Sequence, residues 1–309
     1  MLTTFAIIAP VFVLIGLGYW IRTKQFLPDA FWGPAEKLGY WILLPALLIN
    51  SLATKDLTNV GFTGFILAIV CTIVGLSLSM LLFRRFVPIA GASYASIHQG
   101  TIRLNGLLAI AICVALLGAD SLVFLALMVA AWVPLSNGLS VFAFVRLGSD
   151  ERLSARQVAL AVIKNPNVFS VFIGLGLNFA GAGPFIETFI LFDLLGRAAL
   201  PIGLLAVGAA LNFQTVEAAP LQLIFAVLAK LIVMPMIMLM LAIVFELSPM
   251  ATAVAVISAS MPTSPGGYLI AQQLRGDAPL MASIITLQTL GALITVTLFA
   301  QYGANVVSP

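Results

Sequence analysis

A long apolar run from Ala251 to Ala271 contains a stretch in which a helix is hard to continue. It reads Met261-Pro-Thr-Ser-Pro-Gly-Gly-Tyr268, with two prolines and two glycines. Each proline removes a backbone donor and clashes with the preceding turn, and glycine lowers helix propensity further. Backbone freed in this way inside a bilayer needs a partner in a cavity or in buried protein. The stretch therefore predicts a membrane helix that is interrupted around a polar site.

The composition supports a membrane setting. The chain is 62% hydrophobic and 8% charged, whereas soluble domains have about 45–50% and about 25%. Cys71 and Cys113 lie in apolar runs without a motif spacing, so they indicate neither a disulfide nor a metal site. No cofactor is predicted, and no basic patch interleaved with aromatic residues indicates nucleic acid. The expected partner is the lipid bilayer.

Ten membrane spans are predicted, because about 20 apolar residues cross the hydrocarbon core. Residues 2–21 are long enough to span and lack a basic segment before them, so we expect a first helix there and no cleaved signal peptide. The spans are placed at 3–21, 37–53, 61–83, 92–117, 120–145, 167–181, 185–211, 218–245, 249–273 and 279–302.

The loop charges predict the orientation. Cytoplasmic loops are enriched in Lys and Arg, and on the other side of the membrane only Lys55 is found. Both termini are then expected outside, in the periplasm or the extracellular space, which suits an even number of spans. We expect the plasma (inner) membrane. The residues placed in the cytoplasm are Arg22, Lys24, Lys37, Arg84, Arg85, Arg146, Arg152, Arg156, Lys164 and Arg275.

The chain divides near its middle. Residues 146–166 form the longest polar connection, a cytoplasmic linker in which 153–163 has the pattern of a short amphipathic helix. We predict a first five-helix repeat over 1–145 and a second over 167–309.

Similar segments occur in both halves. Leu38-Gly39 followed by Leu44-Pro45 matches Leu195-Gly196 followed by Leu200-Pro201. At an offset of 160, span four lies over span nine and Asn105-Gly106 pairs with Pro265-Gly266. Five helices per repeat is an odd number, so the second copy is inverted in the membrane. The predicted fold is an all-α polytopic membrane protein with ten transmembrane helices in two inverted five-helix repeats, helices four and nine being broken.

Polar residues around the two breaks form the candidate substrate site. The Arg103 guanidinium matches a carboxylate bidentately, and a helix that starts after a break adds amide donors and a positive dipole end. Asn105-Gly106 suits the break because both residue types tolerate positive φ. A purely structural Arg103, bonded to carbonyls or to a carboxylate, is the alternative. The candidates are Gln99, Thr101, Arg103, Asn105, Gly106, Asn137, Pro262, Thr263, Ser264, Gly266, Gly267 and Tyr268.

Four further residues are candidates for coupling or gating. Asp193 and Arg197 are four apart, so they are expected to pair in a structural or gating role, with Asp193 as a proton carrier the alternative. Lys230 lies near the centre of span eight without an evident partner on its own helix. It is either a titrating group, a substitute for a coupling cation, or an interhelical anchor. His98 suits proton coupling, or is simply solvated.

The chain resembles the auxin efflux carrier family, in particular its bacterial malonate-transporter-like members. The resemblance rests on the run 194–211, on Gln99-Gly-Thr-Ile-Arg-Leu-Asn105 and on Met261-Pro262. It implies a fold similar to bile-acid sodium symporters and sodium/proton antiporters. Helices one, two, six and seven would form a scaffold or dimerisation domain, and helices three, four, five, eight, nine and ten a mobile core. Arg103-x-Asn105 stands where many relatives have a proline-asparagine pair.

The leading hypothesis is a secondary active transporter of small organic anions, such as auxin or malonate in the family, working by alternating access. An uncoupled uniporter or a channel is the alternative. An intramembrane enzyme is disfavoured, because the sequence supplies no Ser-His, paired-Asp or zinc constellation. No Gly-x-x-x-x-Gly-Lys motif occurs for ATP binding. Coupling to H+ or Na+ and pairing as a homodimer stay open at this stage.

Overall fold

The computed structural model describes residues 2–55, 57, 61–147, 165–213 and 220–307. Within these ranges the regular structure is entirely helical. Most of the predicted linker 146–166, including the amphipathic segment 153–163, lies outside the described residues.

The α-helices are numbered in chain order over the described ranges. They are α1 Leu2–Thr23, α2 Trp32–Leu38, α3 Leu44–Thr54, α4 Phe62–Phe83, α5 Gly91–Ile102, α6 Gly106–Leu117, α7 Ser121–Leu147, α8 Pro166–Phe179, α9 Gly183–Thr188, α10 Leu191–Ala209, α11 Pro220–Leu228, α12 Met234–Val244, α13 Pro249–Ala259, α14 Gly266–Gln273 and α15 Ala278–Val307.

Eight helical stretches of the described chain are long and apolar enough to cross a membrane. Two shorter apolar helices, α8 and α13, accompany them. The chain is therefore an all-helical, multi-pass membrane protein. The eight stretches are Thr3–Thr23, Asp29–Thr54, Phe62–Phe86, Gly91–Leu117, Ser121–Leu147, Leu191–Ala209, Pro220–Val244 and Ala278–Gln301.

The second helical stretch begins earlier than the predicted start at residue 37. A 3-10 turn at Asp29–Phe31 runs directly into α2, and a π-helical turn at Gly39–Leu43 joins α2 to α3. Pro45 follows this turn and has no N–H to donate to the preceding turn, so a locally widened helix accommodates it. Glu36 thus belongs to a helix and not to the loop in which the sequence pattern placed it.

The predicted helix 185–211 is wrong in its continuity. It is divided into α9 and α10, because Phe189 has ψ of 74° and leaves the helical region. Pro184 at the start of α9 suits the first turn of a new helix, where a missing N–H leaves no bond unmade.

Helices α1, α3, α8 and α10 pack against one another, α1 along α10 and α3 against both α8 and α10. The contact between α1 and α10 is close because glycine stands at the crossing. A Cβ atom on Gly208 would lie 1.8 Å from the Ile15 carbonyl oxygen, and one on Gly18 would lie 2.0 Å from the Leu205 carbonyl oxygen. Small residues allow such approach of two backbones in membrane proteins. We call these four helices, with α2, the first group.

The second group comprises α4, α5, α6, α7 and α11–α15. Within it α13 packs against α12 and α15, and α5 packs against α7 and α15. Its interior is apolar, with Phe65, Ile110 and Val256 fully buried. The two interruptions of helical structure that matter for the site both lie in this group.

Candidate functional site

The chain leaves helical geometry at two places, and these places touch. Helix α5 ends at Ile102 and α6 begins at Gly106, while α13 ends at Ala259 and α14 begins at Gly266. The Asn105 amide donates to the Pro262 carbonyl oxygen at 3.0 Å. The two predicted breaks are therefore present and in contact.

The first break differs in its geometry from the sequence expectation. Neither Asn105 nor Gly106 adopts positive φ. Instead Arg103 (φ −77°, ψ 152°) and Asn105 (φ −86°, ψ 90°) are extended. Asn105 then caps α6, its Oδ1 accepting from the Leu108 amide at 3.2 Å. The residue breaks the helix as an N-cap, which is the commoner use of asparagine.

Gln288 on α15 supplies partners for backbone freed at both breaks. Its Oε1 accepts from the Thr263 amide at 2.9 Å, and its Nε2 donates to the Gly100 carbonyl oxygen at 3.0 Å. Trp132 on α7 donates from Nε1 to the Ile102 carbonyl oxygen at 2.8 Å. These bonds satisfy the requirement that non-helical backbone at membrane depth be paired within the protein.

Arg103 lies in the first break and is only 8% exposed. Its Nη1 donates to Asn137 Oδ1 at 2.7 Å, and its Nη2 lies 3.6 Å from where a Cβ atom on Gly266 would be. The alternative of an ion pair with a carboxylate is not found in the described ranges. The ion pairs there are Arg22–Asp29, Lys55–Asp120 and Asp193–Arg197.

A cavity of about 350 Å³ lies beside Arg103, between the two groups of helices. Residues of both groups line it, and a volume of this size suits a small-molecule site. Six of the predicted substrate residues are on its wall: Arg103, Asn105, Gly106, Asn137, Ser264 and Gly266.

The helix starts add positive potential to this wall. Gly106 and Gly266 open α6 and α14, and both line the cavity. The first turn of a helix has amide groups without intrahelical partners and the positive end of the helix dipole. Together with the guanidinium, these two helix starts make the cavity attractive to an anionic group.

The other six predicted residues do not line the cavity. Thr263 is fully buried and bonded through its amide, and Gln99 is fully buried beside Gly267. Thr101 donates from its hydroxyl to the Ile97 carbonyl oxygen, and Tyr268 is 37% exposed. The structure therefore groups these residues around the breaks and not against the space that a solute would occupy. The six are Gln99, Thr101, Pro262, Thr263, Gly267 and Tyr268.

The predicted pairing of Asp193 with Arg197 is confirmed. Arg197 Nε lies 2.7 Å from Asp193 Oδ2, one helical turn away on α10. The arginine side chain is 77% exposed and neither residue lines the cavity.

Lys230 and His98 are fully buried away from the cavity. Lys230 Nζ lies 3.1 Å from Met234 Sδ and 5.1 Å from the centroid of the Trp132 ring. Met234 is a partner on the same helical stretch that the sequence did not reveal. His98 Nε2 lies 2.8 Å from Ser77 Oγ, so the expectation of a solvated histidine is wrong.

Four polar residues of the cavity wall were missed as site residues from the sequence: Glu36, Lys37, Tyr40 and Asn167. Glu36 adjoins Lys37 and resembled a charged loop, while Asn167 follows the Asn165-Pro166 pair at the start of a span. The spacing of four between Glu36 and Tyr40, which places both on one face of a helix, is the signal that would have indicated them.

The comparisons with known proteins agree with a transport role. A profile of the family described as "Membrane transport protein" matches residues 149–300. A Rhizobium meliloti (strain 1021) protein with the name "Putative malonate transporter" is 26% identical, over 94% of this chain and 93% of its own length. An "Uncharacterized transporter" of Methanothermobacter thermautotrophicus is 22% identical, over 94% of this chain and 95% of its own length.

These matches confirm the resemblance to the auxin efflux carriers that the sequence motifs indicated. They also agree with the expectation that the chain is not an enzyme, since the family and both relatives are described as transporters. Residues 149–300 are thus similar to the membrane transport protein family, and nearly the whole chain is similar to two proteins named as transporters.

Proposed function

We propose that the protein is a secondary transporter that carries small organic anions by alternating access. The observation that supports this most strongly is Arg103, which lies in a helix break on the wall of a cavity of about 350 Å³. A buried guanidinium at membrane depth is costly, by roughly 2.5–3.5 kcal/mol at a helix centre on insertion scales. Among the described residues, the guanidinium donates to Asn137 Oδ1 through Nη1. The remaining donors suit a carboxylate.

In this proposal ten segments cross the membrane as two inverted five-helix repeats. The eight long stretches are joined by α8, and by α13 with α14 as one interrupted span. The two breaks support the repeat, because Asn105-Gly106 and Pro265-Gly266 occupy matching positions at an offset of 160. The first repeat covers 1–145 and the second 167–309, with the linker 146–166 in the cytoplasm of an inner-membrane protein whose termini lie outside.

The scaffold in this proposal is α1, α2, α3, α8 and α10, and the core is the second group. Their packing supports the division, since α1 packs along α10 and α3 packs against both α8 and α10. The cavity lies at the boundary, with Glu36 and Gly203 from the scaffold and Arg103 and Ser264 from the core. Movement of the core along the scaffold would carry Arg103 from one side of the membrane to the other.

The cavity opens on the side that the loop charges assign to the cytoplasm. Lys37 lies on its wall and is exposed, near the start of the second helical stretch. At the other end of that stretch, Lys55 and Asp120 join scaffold and core at 2.8 Å. We assign this arrangement to the inward-facing state. The buried Lys230 and His98 are the candidates for proton coupling within the core, and Asp193 with Arg197 for a gating contact.

Replacement of Arg103 tests the function. In proteoliposomes, wild-type uptake of a labelled dicarboxylate such as malonate should saturate. Arg103→Ala should abolish uptake or raise KM about 10-fold to 100-fold, as expected for a lost charged hydrogen bond. Asn137→Asp should have a similar effect, because a carboxylate at position 137 would occupy the guanidinium in place of the solute.

Arg146→Gln is the matched control, since Arg146 is an exposed arginine in the last turn of α7 and does not line the cavity. It should leave uptake unchanged. Wild-type affinity in a folded Arg103→Ala variant would remove Arg103 from the site. A flux that rises linearly with concentration would identify a pore instead of a carrier.

A further inference from the structure

Glu36 is the acidic residue on the wall of the cavity. It lies in α2, next to the π turn, and is half-buried. Neither an ion pair nor a hydrogen bond to its carboxylate is found among the described residues. It lies near enough to Arg103 for the two charges to interact, but the two side chains do not pair. The wall of the cavity thus carries one carboxylate, Glu36, and two cationic side chains, Arg103 and Lys37.

The other groups around Glu36 leave this carboxylate available. Lys37, its neighbour in sequence, is exposed at the mouth of the cavity, and Tyr40 lies one turn further along the same helical stretch. Arg103 is directed toward Asn137 through Nη1. Among the described residues this half-buried carboxylate has no partner, and burial of an unpaired carboxylate is costly unless a ligand supplies one.

A solute with two negative charges fits this wall poorly. One carboxylate would be attracted by Arg103, but the second would share the small cavity with the Glu36 carboxylate, and like charges in a partly desolvated space repel strongly. A solute with a carboxylate at one end and a protonated nitrogen at the other meets an opposite charge at each end.

We propose that the transported solute is amphoteric, a small amino acid whose carboxylate binds Arg103 and whose ammonium group donates to Glu36. This inference rests on the proposed carrier function and replaces its simple organic anion with a solute that carries both charges. Neutral groups of the same wall, Tyr40 and Asn167, supply further hydrogen-bond partners, while Trp41 and Leu269 supply apolar contact for a short carbon chain. Glu36 is then the residue that determines specificity, and Arg103 the residue that binds the common carboxylate.

Three solutes of three carbon atoms test the inference: β-alanine, malonate and propionate. They share one carboxylate and differ in the group at the other end, which is an ammonium, a second carboxylate or a methyl. In proteoliposomes we expect wild-type protein to take up β-alanine with a KM at least about tenfold below those of the other two. A KM ratio within one variant does not depend on how much of the protein is folded.

Glu36→Gln is the decisive variant. It should raise the KM for β-alanine about 10-fold to 100-fold, because the ammonium group loses its negative partner. It should lower the KM for malonate, because the second carboxylate of malonate is no longer repelled by Glu36. Glu187→Gln is the control: Glu187 is an exposed glutamate of α9, a helix that packs on α3 of the scaffold, and it does not line the cavity. It should leave the order of the three solutes unchanged.

The outcomes separate this inference from the proposed function. If wild-type protein prefers malonate or propionate to β-alanine, or if Glu36→Gln leaves the order unchanged, the amphoteric substrate is refuted while an anion carrier stands. If none of the three solutes shows saturable uptake, or if Arg103→Ala transports as wild type does, the proposed site fails and this inference fails with it.

Discussion

Two glycines of α1, two residues apart, provide a sharp test of how the scaffold is held together. Gly18 is buried against α10, where an added Cβ atom would lie 2.0 Å from the Leu205 carbonyl oxygen. Gly16 is exposed, and an added Cβ atom would meet nothing within 4 Å. Gly18→Ala should therefore destabilise the protein, and Gly16→Ala should not.

The magnitude follows from the distance. The new methyl group at position 18 would be roughly 1.4 Å short of ordinary contact, and the atom it meets is backbone that no rotamer change can move. Overpacking of this kind costs about 1–3 kcal/mol, occasionally more. Alanine in a helix interior gains about 1 kcal/mol over glycine from propensity alone. That gain is common to both variants and cancels, so they should differ in free energy of unfolding by the overpacking cost, about 1–3 kcal/mol.

Thermal unfolding in detergent measures this difference. By the scaling of large soluble proteins, about 2 °C per kcal/mol, we expect Gly18→Ala to have a Tm about 2–6 °C below that of Gly16→Ala. Gly208→Ala, on the other side of the same contact, should behave like Gly18→Ala, because its Cβ atom would lie 1.8 Å from the Ile15 carbonyl oxygen. Equal Tm values for Gly16→Ala and Gly18→Ala would refute the close packing of α1 on α10.

Two further predictions concern movement and orientation, both in a background with Cys71 and Cys113 replaced by alanine. Bridging Lys55→Cys to Asp120→Cys with a short, reducible bifunctional thiol reagent should stop uptake until the bridge is reduced. Bridging Arg22→Cys to Asp29→Cys, both within the scaffold, should leave uptake unchanged. Full uptake by the protein bridged between positions 55 and 120 would exclude relative motion at this contact. Lys37→Cys should react with a membrane-impermeant thiol reagent only from the cytoplasmic face, and reaction only from the outer face would reverse the assigned orientation.

The same Lys55–Asp120 contact should contribute little to stability. The hydrogen bond from Lys55 and its charge hold the pKa of Asp120 below its usual value. A lowered carboxyl pKa stabilises the folded state above the ordinary pKa of the group, and that contribution is lost as the pH falls through the lowered value. The Asp120 side chain is 82% exposed, however, and exposed ion pairs contribute about 1 kcal/mol or less. The contact is therefore suited to being broken and remade during transport.

The sequence predicted the breaks because local chemistry determines them. Pro262 and Pro265 cannot continue a helix, so the break lies between Ala259 and Gly266 and the two glycines instead open α14, while Asn105 is a strong N-cap. Arg103 was predicted as a site residue because a charged side chain within an apolar run is costly unless it faces the protein interior or water. The contact between the two breaks, from the Asn105 amide to the Pro262 carbonyl oxygen, is a tertiary contact that neither local sequence determines.

Glu36 was missed because hydropathy alone set the start of the second span. A charged pair before an apolar run reads as a loop, and nothing local shows that a π turn ahead of Pro45 continues the helix back to Trp32. The partners of Lys230 were missed for a different reason. Trp132 lies about a hundred residues away in the chain, and a contact over that separation depends on tertiary packing that single-sequence patterns do not contain.

The bonds at the crossing limit how the core can move. Asn105 bonds to Pro262, and Gln288 bonds at once to Thr263 on one break and to Gly100 beside the other. Separating the breaks would leave several buried backbone groups without partners in a medium that supplies none, at several kcal/mol each. Sliding the core past the scaffold breaks no bond at the crossing. In the proposed transport cycle, movement of the whole core would therefore keep these bonds, and Arg103 would travel with both breaks.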